Sequence, residues 1–301
     1  MNKAGDMAGR PHHAPNYRAI RWHWDWVKRP LFGLVLGAIV IAVLFKGPFY
    51  FMLWVAVVGA MAAREWHRMV GGAHYRSQAF FTGSVVAFAC FAMVFLHPAF
   101  VAFEVLGIGA LAAYFLAKLR GQEPYWRAGG ILYLGIPCVC LVALRVVLHD
   151  TPQQAAWAIA GLFVIVWMTD IGALIFGNLI GGPRLAPVLS PNKTWAGAIG
   201  GVVAATLTFA FYIRYLGGNV FFAAPAAVFL SVTAHGGDLF ESWVKRRFKV
   251  KNSGSMIPGH GGVLDRVDSL LSAGVMLAIL VFAFGVDPLF GAHGLVPGGR
   301  L

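Results

Sequence analysis

Charge is scarce in this chain: only 12% of the 301 residues are charged, against about 25% in an ordinary soluble domain. With 59% of the residues hydrophobic, a water-soluble fold of this size has no interior large enough to hide them. Lipid must be the solvent for much of the surface. Cysteine is almost missing as well. Cys90, Cys138 and Cys140 all fall in apolar stretches, and a spacing of two puts Cys138 and Cys140 on different faces of a helix. That excludes a metal knuckle and a local disulfide, and leaves three small packing residues. Acidic residues are outnumbered, 12 against 24 Lys and Arg, for a formal charge of +12. On a soluble protein such a balance points to nucleic acid. On a membrane protein it more commonly marks a basic cytoplasmic face against anionic lipid, and the position of the charges decides.

Apolar runs fall at roughly 27–45, 48–63, 79–96, 98–117, 129–148, 155–177, 195–216, 220–239 and 268–287, each close to the ~20 residues that span a bilayer. The expected fold is therefore all-α: a polytopic transmembrane helical protein of about nine spans. The first two runs are separated by Lys46, Gly47 and Pro48 alone, a tight turn or a kink. The eighth is the weakest, since it ends in His235, Gly236, Gly237 and Asp238. Of the 24 basic residues, 20 lie before the first run or in alternate connections, among them Arg64, Arg68, Lys118, Arg120, Lys193 and Lys245. This asymmetry places the N-terminus and the even-numbered connections in the cytoplasm and reads as topology, with no nucleic-acid partner. Residues 1–26 form a polar cytoplasmic segment without a cleavable signal pattern, and Trp22, Trp24 and Trp26 suit an interfacial anchor. Residues 27–288 make one transmembrane domain, and 289–301 a short tail.

Two cytoplasmic regions carry more than a connection requires. In the first, Ser190, Lys193 and Thr194 combine two hydroxyls and a cation at the expected opening of the next helix. Free backbone N–H groups there favour phosphate, although Ser, Asn and Thr are also ordinary cap residues. The second spans 237–268. On a helix Asp238, Glu241, Ser242 and Lys245 share a face, as do Asp265 and Asp268 at the start of the last run. Carboxylates among several Lys and Arg, with a glycine-rich turn, fit a metal–phosphate site. A solvated positive-inside loop accounts for the basic residues but not for Asp238, Asp265 and Asp268 at span ends.

The string Ser242, Lys245-Arg246, Lys251, Gly254, Pro258-Gly259-His260-Gly261-Gly262 and Asp265-Arg266-Val267-Asp268 resembles the signature of the phosphatidate cytidylyltransferases, or CDP-diglyceride synthetases. The run 190–194 is similar to that family's Ser-Pro-Lys-Lys-Thr element, and Glu65-Trp66 and 130–133 are weaker echoes. Two positions depart: Asn252 stands where the family has Asp, and Ala196 where a Glu is common. Asn offers an oxygen but no charge; Asp238 and Asp265 remain, which favours a supporting role for position 252.

The resemblance implies that CTP and phosphatidic acid give CDP-diacylglycerol and pyrophosphate, in an integral multi-pass protein of a bacterial-type inner membrane with its active site facing the cytoplasm. With it goes Mg2+, chiefly on Asp238 and Asp265, with Asp268 either assisting as a ligand or orienting Arg266; a second, monovalent ion and a homodimer are left open. Lys245, Arg246 and Arg266 would hold phosphates, with Ser190, Lys193 and Thr194 on a second side and Ser242, Lys251, Gly261 and Gly262 lining the substrate. His260 either contacts phosphate, shuttles a proton or shapes the turn; Asp170 either completes the metal shell or packs between helices. Rival readings are a CTP-dependent polyprenol or phytol kinase, a transporter using Glu104, Asp170 and Arg145 as intramembrane charges, and an inactive relative marked by Asn252.

Overall fold

A backbone in lipid finds no partner for its N–H and C=O groups outside itself, so long apolar runs fold as helices. The computed structural model describes residues 33–71, 74–96, 100–146, 152–254, 256 and 261–285. Among these are nine helices, one on each expected run: α1 (Gly33–Lys46), α2 (Pro48–Val70), α3 (Tyr75–Phe95), α4 (Val101–Leu119), α5 (Pro124–Val146), α6 (Pro152–Leu179), α7 (Trp195–Tyr215), α8 (Val220–Arg247) and α9 (Leu264–Phe284). Seven of them, α3 to α9, are long and apolar enough to cross a membrane. The expected nine spans are thus met by seven among the described residues. The described part of α1 is shorter, and the last two turns of α2 carry Arg64, Glu65, His67 and Arg68. Residues 1–26, with their tryptophans, and the tail 289–301 lie outside the described residues.

Three local features differ from, or sharpen, the sequence reading. The fold is all-α save for one antiparallel hairpin, β1 (Arg184–Ala186) and β2 (Ser190–Thr194), in which Arg184 pairs with Thr194 and Ala186 with Ser190. The residues expected to open a helix therefore form a strand, and only Thr194 reaches the helix, as its N-cap: Oγ1 accepts from Gly197 N at 3.1 Å. Pro191 permits this because it precedes the helix and stands in a two-stranded hairpin, where every strand is an edge. Second, α8 does not stop at Gly236 and Gly237 but continues to Arg247. A side chain at Gly237 would run into Ser272 and come within 2.6 Å of Asp268 O, so this glycine serves the close approach of α8 to α9 rather than a helix end. Third, the break between α1 and α2 is a true one. Gly47 takes φ 145°, which glycine tolerates, and Pro48 begins α2, where its missing N–H costs nothing.

The most enclosed of the spanning helices is α5, which touches α2, α3, α4, α6 and α9. Cys138 and Cys140 lie on it, buried and unbonded like Cys90 of α3, as packing residues should. The other close pairs are α6 with α7, α8 with α9 and α7 with α8. Small residues set the first of these: a Cβ on Gly172 would sit 2.7 Å from Ala204 Cβ, and one on Gly201 would sit 2.6 Å from Thr169 O. Cross-contacts tie the C-terminal ends of α2, α4 and α8 to the N-terminal ends of α3, α5, α7 and α9, so the polar ends gather at one end of the bundle. A Gly201→Leu chain is expected to lose about 1–3 kcal/mol, since the obstruction is backbone and cannot rotate away. A thermal melt in detergent reads this as a lower Tm, and an unchanged Tm would show that α6 and α7 are not held at this distance.

Candidate functional site

At that end of the bundle, α8 presents Asp238, Glu241, Ser242 and Lys245 along one face, as their spacing predicts. Asp238 looks toward α7: its Oδ2 forms an ion pair with Lys193 Nζ, and its Oδ1 accepts from Ser242 Oγ at 3.4 Å. A turn further on, Lys245 Nζ bridges Asp265 Oδ1 of α9 at 2.7 Å and Glu241 Oε2 at 3.1 Å. Largely shielded from water, such a pair is costly to break from one side, about 3–5 kcal/mol. It therefore locks α8 against α9.

Asp265 also organises the chain that joins those helices. Its Oδ2 accepts from Gly262 N at 3.0 Å and Ser253 N at 3.2 Å. Gly261 takes φ 86°, a left-handed conformation that any other residue would hold under strain. Glu65, from the far side at the end of α2, completes the anchor: Oε2 accepts from Leu264 N at 2.8 Å and from Ser253 Oγ at 3.1 Å, and the residue is only 2% exposed. Gly254 and Gly262 close round this carboxylate so tightly that a Cβ on either would overlap its side chain.

A cleft of about 480 Å³ opens between α6, α7, α8 and the hairpin. Polar side chains reach its wall from Asp170 and Asn178 of α6, from Arg184, Asn192, Lys193 and Thr194 of the hairpin, and from His235 and Asp238 of α8. Asp268 lies deeper, buried, with Oδ1 accepting from Ser269 N at 2.7 Å, and it stands against Glu241. Carboxylates crowd here: Asp170, Asp238, Glu241, Asp265 and Asp268 come from three helices, with Lys193 and Lys245 as the paired cations. Glu241 is fully buried, and its Oε1 has no protein partner.

The sequence-predicted residues divide accordingly. Lys193, Thr194 and Asp238 line the cleft; Lys245, Asp265, Ser242 and Gly262 form the adjoining network. Ser190 does not reach the cleft, because it sits at the opposite end of β2 from Thr194. Thr194 spends its oxygen on the cap. Arg246 is exposed, with Nε donating to Leu189 O at 3.2 Å, so it ties the hairpin turn to α8. Lys251 and Asn252 are exposed beyond α8; Arg266, in the first turn of α9, is exposed too but within electrostatic reach of Asp170 on the cleft wall. His260 lies outside the described residues, with Pro258 and Gly259.

Comparison with known proteins bears on the whole of this arrangement. The model of the cytidylyltransferase family matches residues 27–284. The chain belongs to the cytidylyltransferase family. A phosphatidate cytidylyltransferase of Brucella suis biovar 1 is 36% identical over 263 residues, covering 85% of this chain and 92% of that protein. One from Rickettsia bellii is 37% identical over 189 residues (60% and 79%), and one from Staphylococcus haemolyticus 43% identical over 154 residues (50% and 56%).

Within this cytidylyltransferase, sequence reasoning assigned no site role to Glu65, Glu241, His235 or Asn178. His235 stands three residues before Asp238, one turn away on the same helix, and reaches the cleft wall with Nε2 3.3 Å from Ala198 O of α7. Glu65 had only its family echo, and its partners lie 188 and 199 positions away. Replacing it by Ala is expected to leave Ser253 Oγ and Leu264 N unpaired, at about 1–3 kcal/mol each. Limited proteolysis within 250–263 then accelerates, whereas Glu65→Gln, which keeps an accepting oxygen, stays near the parent rate. Equal cutting of all three proteins would remove Glu65 from its anchoring role.

Proposed function

We propose that the protein transfers the cytidylyl group of CTP to the phosphate of phosphatidic acid, releasing pyrophosphate and leaving CDP-diacylglycerol in the membrane. The observation that carries this reading is the meeting of two separate motifs, Lys193 of the hairpin and Asp238 of α8, on one cleft in a chain matched to the cytidylyltransferase family over most of its length. The names of the three relatives supply the substrates.

In the reaction a phosphate oxygen of phosphatidic acid forms a bond to the α-phosphorus of CTP, and the bond from that phosphorus to the bridging oxygen of the β-phosphate breaks. The attacking group is already an anion, so the demand falls on holding two anions together and on receiving pyrophosphate. Lys193, at the mouth of the cleft, takes phosphate oxygens from the hairpin side. Lys245, Arg246 and Arg266 approach from the ends of α8 and α9, with Arg246 anchored through Nε. Asp265 keeps Lys245 in position and orders the backbone of 253 and 262 beside it.

The residues fit Mg2+. Hard carboxylate oxygens crowd the site, and Glu241 Oε1 is a buried acceptor without a protein partner. No group of three or more His, Cys, Asp or Glu side chains is gathered as a ready cage among the described residues. Mg2+ does not require one, since it takes one or two carboxylates and fills its shell with water and substrate phosphates. Asp238, Asp265 and Asp268 would hold it; when bound it neutralises charge on the phosphate oxygens. The same reading has nine spans, with the N-terminus and this end of the bundle on the cytoplasmic side, as the distribution of basic residues supports.

The transporter reading loses support from where its charges lie. Arg145 is buried near the end of α5 opposite the cleft, donating from Nε and Nη2 to Leu44 O at 3.2 Å, and Glu104 is exposed in the first turn of α4. Neither shares a path with Asp170.

Purified protein given phosphatidic acid and CTP labelled at the α-phosphorus is expected to yield labelled CDP-diacylglycerol, dependent on Mg2+. Release of labelled CDP with the γ-phosphoryl group carried onto the lipid, or onto an added polyprenol, would replace this reading by a kinase. Asp265→Asn preserves acceptors for the loop N–H groups but removes charge, and is expected to lower Mg2+-dependent turnover by about 100-fold or more. Full turnover would sink the metal assignment. Asn252→Asp, at an exposed position, is expected to change turnover by less than about threefold. A large gain would make position 252 a missing ligand.

A further inference from the structure

A second polar cavity, of about 330 Å³, lies at the same end of the bundle but between α3 and α4, closed at its back by the end of α2 and the start of α5. Its depth is polar and its walls are not. Arg127, on the first turn of α5, is 5% exposed. Its Nη1 lies 3.2 Å from His67 Nδ1, Nη2 donates to Gly71 O, and Nε has no partner. An Arg donor to Nδ1 makes that nitrogen the acceptor, so His67 Nε2 carries the hydrogen and donates to Thr82 Oγ1 at 2.7 Å. The Thr82 hydroxyl hydrogen is left to donate elsewhere. Arg120 stands at the rim beside Gln78 and Gln122, and no carboxylate lines the cavity among the described residues. Phe80, Phe81, Ala113 and Leu116 form the walls, with Phe80 79% exposed on the outer face of α3.

We propose that this cavity is a binding site for an anionic phospholipid, separate from the cleft in which chemistry occurs. A buried guanidinium with an unused donor, a second Arg at the rim and a Thr82 hydroxyl whose hydrogen His67 does not use together suit a phosphate group. The groove of aromatic and aliphatic side chains on the outer faces of α3 and α4 suits the acyl chain that such a phosphate brings with it. A free inorganic phosphate would use the first feature and leave the second without purpose.

The site is mechanically joined to the cleft. Three consecutive residues of α2 do different work: Glu65 anchors the chain before α9, Trp66 Nε1 donates to Trp126 O at 3.0 Å, and His67 holds Arg127. Trp126 in turn packs on Trp243 and Phe248, at the end of α8. Lipid bound at Arg127 therefore braces the turn of α5 that supports both neighbours of the chemical site.

The test measures binding without CTP, so it stands apart from the proposed reaction. The full-length protein, purified in detergent, is incubated with phosphatidylglycerol or phosphatidylcholine, and retained lipid is counted by native mass spectrometry. Retained phosphatidylglycerol is expected to fall about tenfold in Arg127→Gln and several-fold in the exposed Arg120→Gln, with phosphatidylcholine unchanged. Arg120→Gln guards against misfolding, because its side chain supports no described contact in the interior. Wild-type retention in both variants would overturn the proposal. So would displacement of phosphatidylglycerol by millimolar inorganic phosphate alone, which would make the cavity a free-anion site.

Discussion

The chain between α8 and α9 must carry a polar, glycine-rich backbone at the edge of lipid, where an unpaired N–H or C=O group is costly. Two carboxylates accept on its behalf. Asp265 takes the N–H groups of Ser253 and Gly262, and Glu65 takes Leu264 N and the Ser253 hydroxyl. Through Lys245, Asp265 also binds α8 to α9. One acid group therefore closes the loop, sets the distance between two helices and fixes the position of Lys245. Glu65 extends the same constraint to the other half of the bundle, since it is the α2 carboxylate on which the start of α9 rests.

Close helix contacts then determine where the cleft opens. Gly172, Gly200 and Gly201 bring α6 and α7 together deep in the bundle, and Gly237 brings α8 against α9. Between these two tight pairs the polar ends spread, and the hairpin fills the gap with Lys193 pointing at Asp238. Rigid helix positions suit the chemistry, because phosphoryl and nucleotidyl transfer depend chiefly on placing charges rather than on proton exchange. The lining is asymmetric, with Asp170 on α6 and Asp238 on α8 facing Arg184 and Lys193 on the hairpin.

Much of this was legible in the sequence because hydropathy and helical spacing are local. All nine runs coincide with helices, and Asp238, Ser242 and Lys245 share a face as their offsets require. The glycines of 236 and 237 made the eighth run look the weakest for a physical reason: glycine is a poor helix former in water, whereas Gly237 here serves a helix–helix contact. The hairpin was illegible for another. It depends on cross-strand pairing of Arg184 with Thr194, which no local periodicity reports. Glu65, Glu241 and His235 were passed over because their roles come from partners in other helices. Arg145, by contrast, looked functional as an intramembrane charge, yet it serves the carbonyl of Leu44 near the end of α1.

The low hydropathy of α2 follows from the same logic. Its C-terminal turns hold Glu65 and His67 although both are buried, and neither forms an ion pair among the described residues. A helix whose only task was to cross a membrane would place apolar residues at those positions, since buried polar groups stabilise only when their partners are supplied. Here the partners are supplied, by 253 and 264 on one side and by Thr82 and Arg127 on the other. Trp66 between them packs on Trp126 and Tyr133, so an aromatic layer separates the two polar networks. The residues that remove α2 from the set of plainly apolar spans are thus the ones that join α3 and α5 to the chemical end of the bundle. A shift of a single helical residue in α2 would turn both networks away from their partners at once.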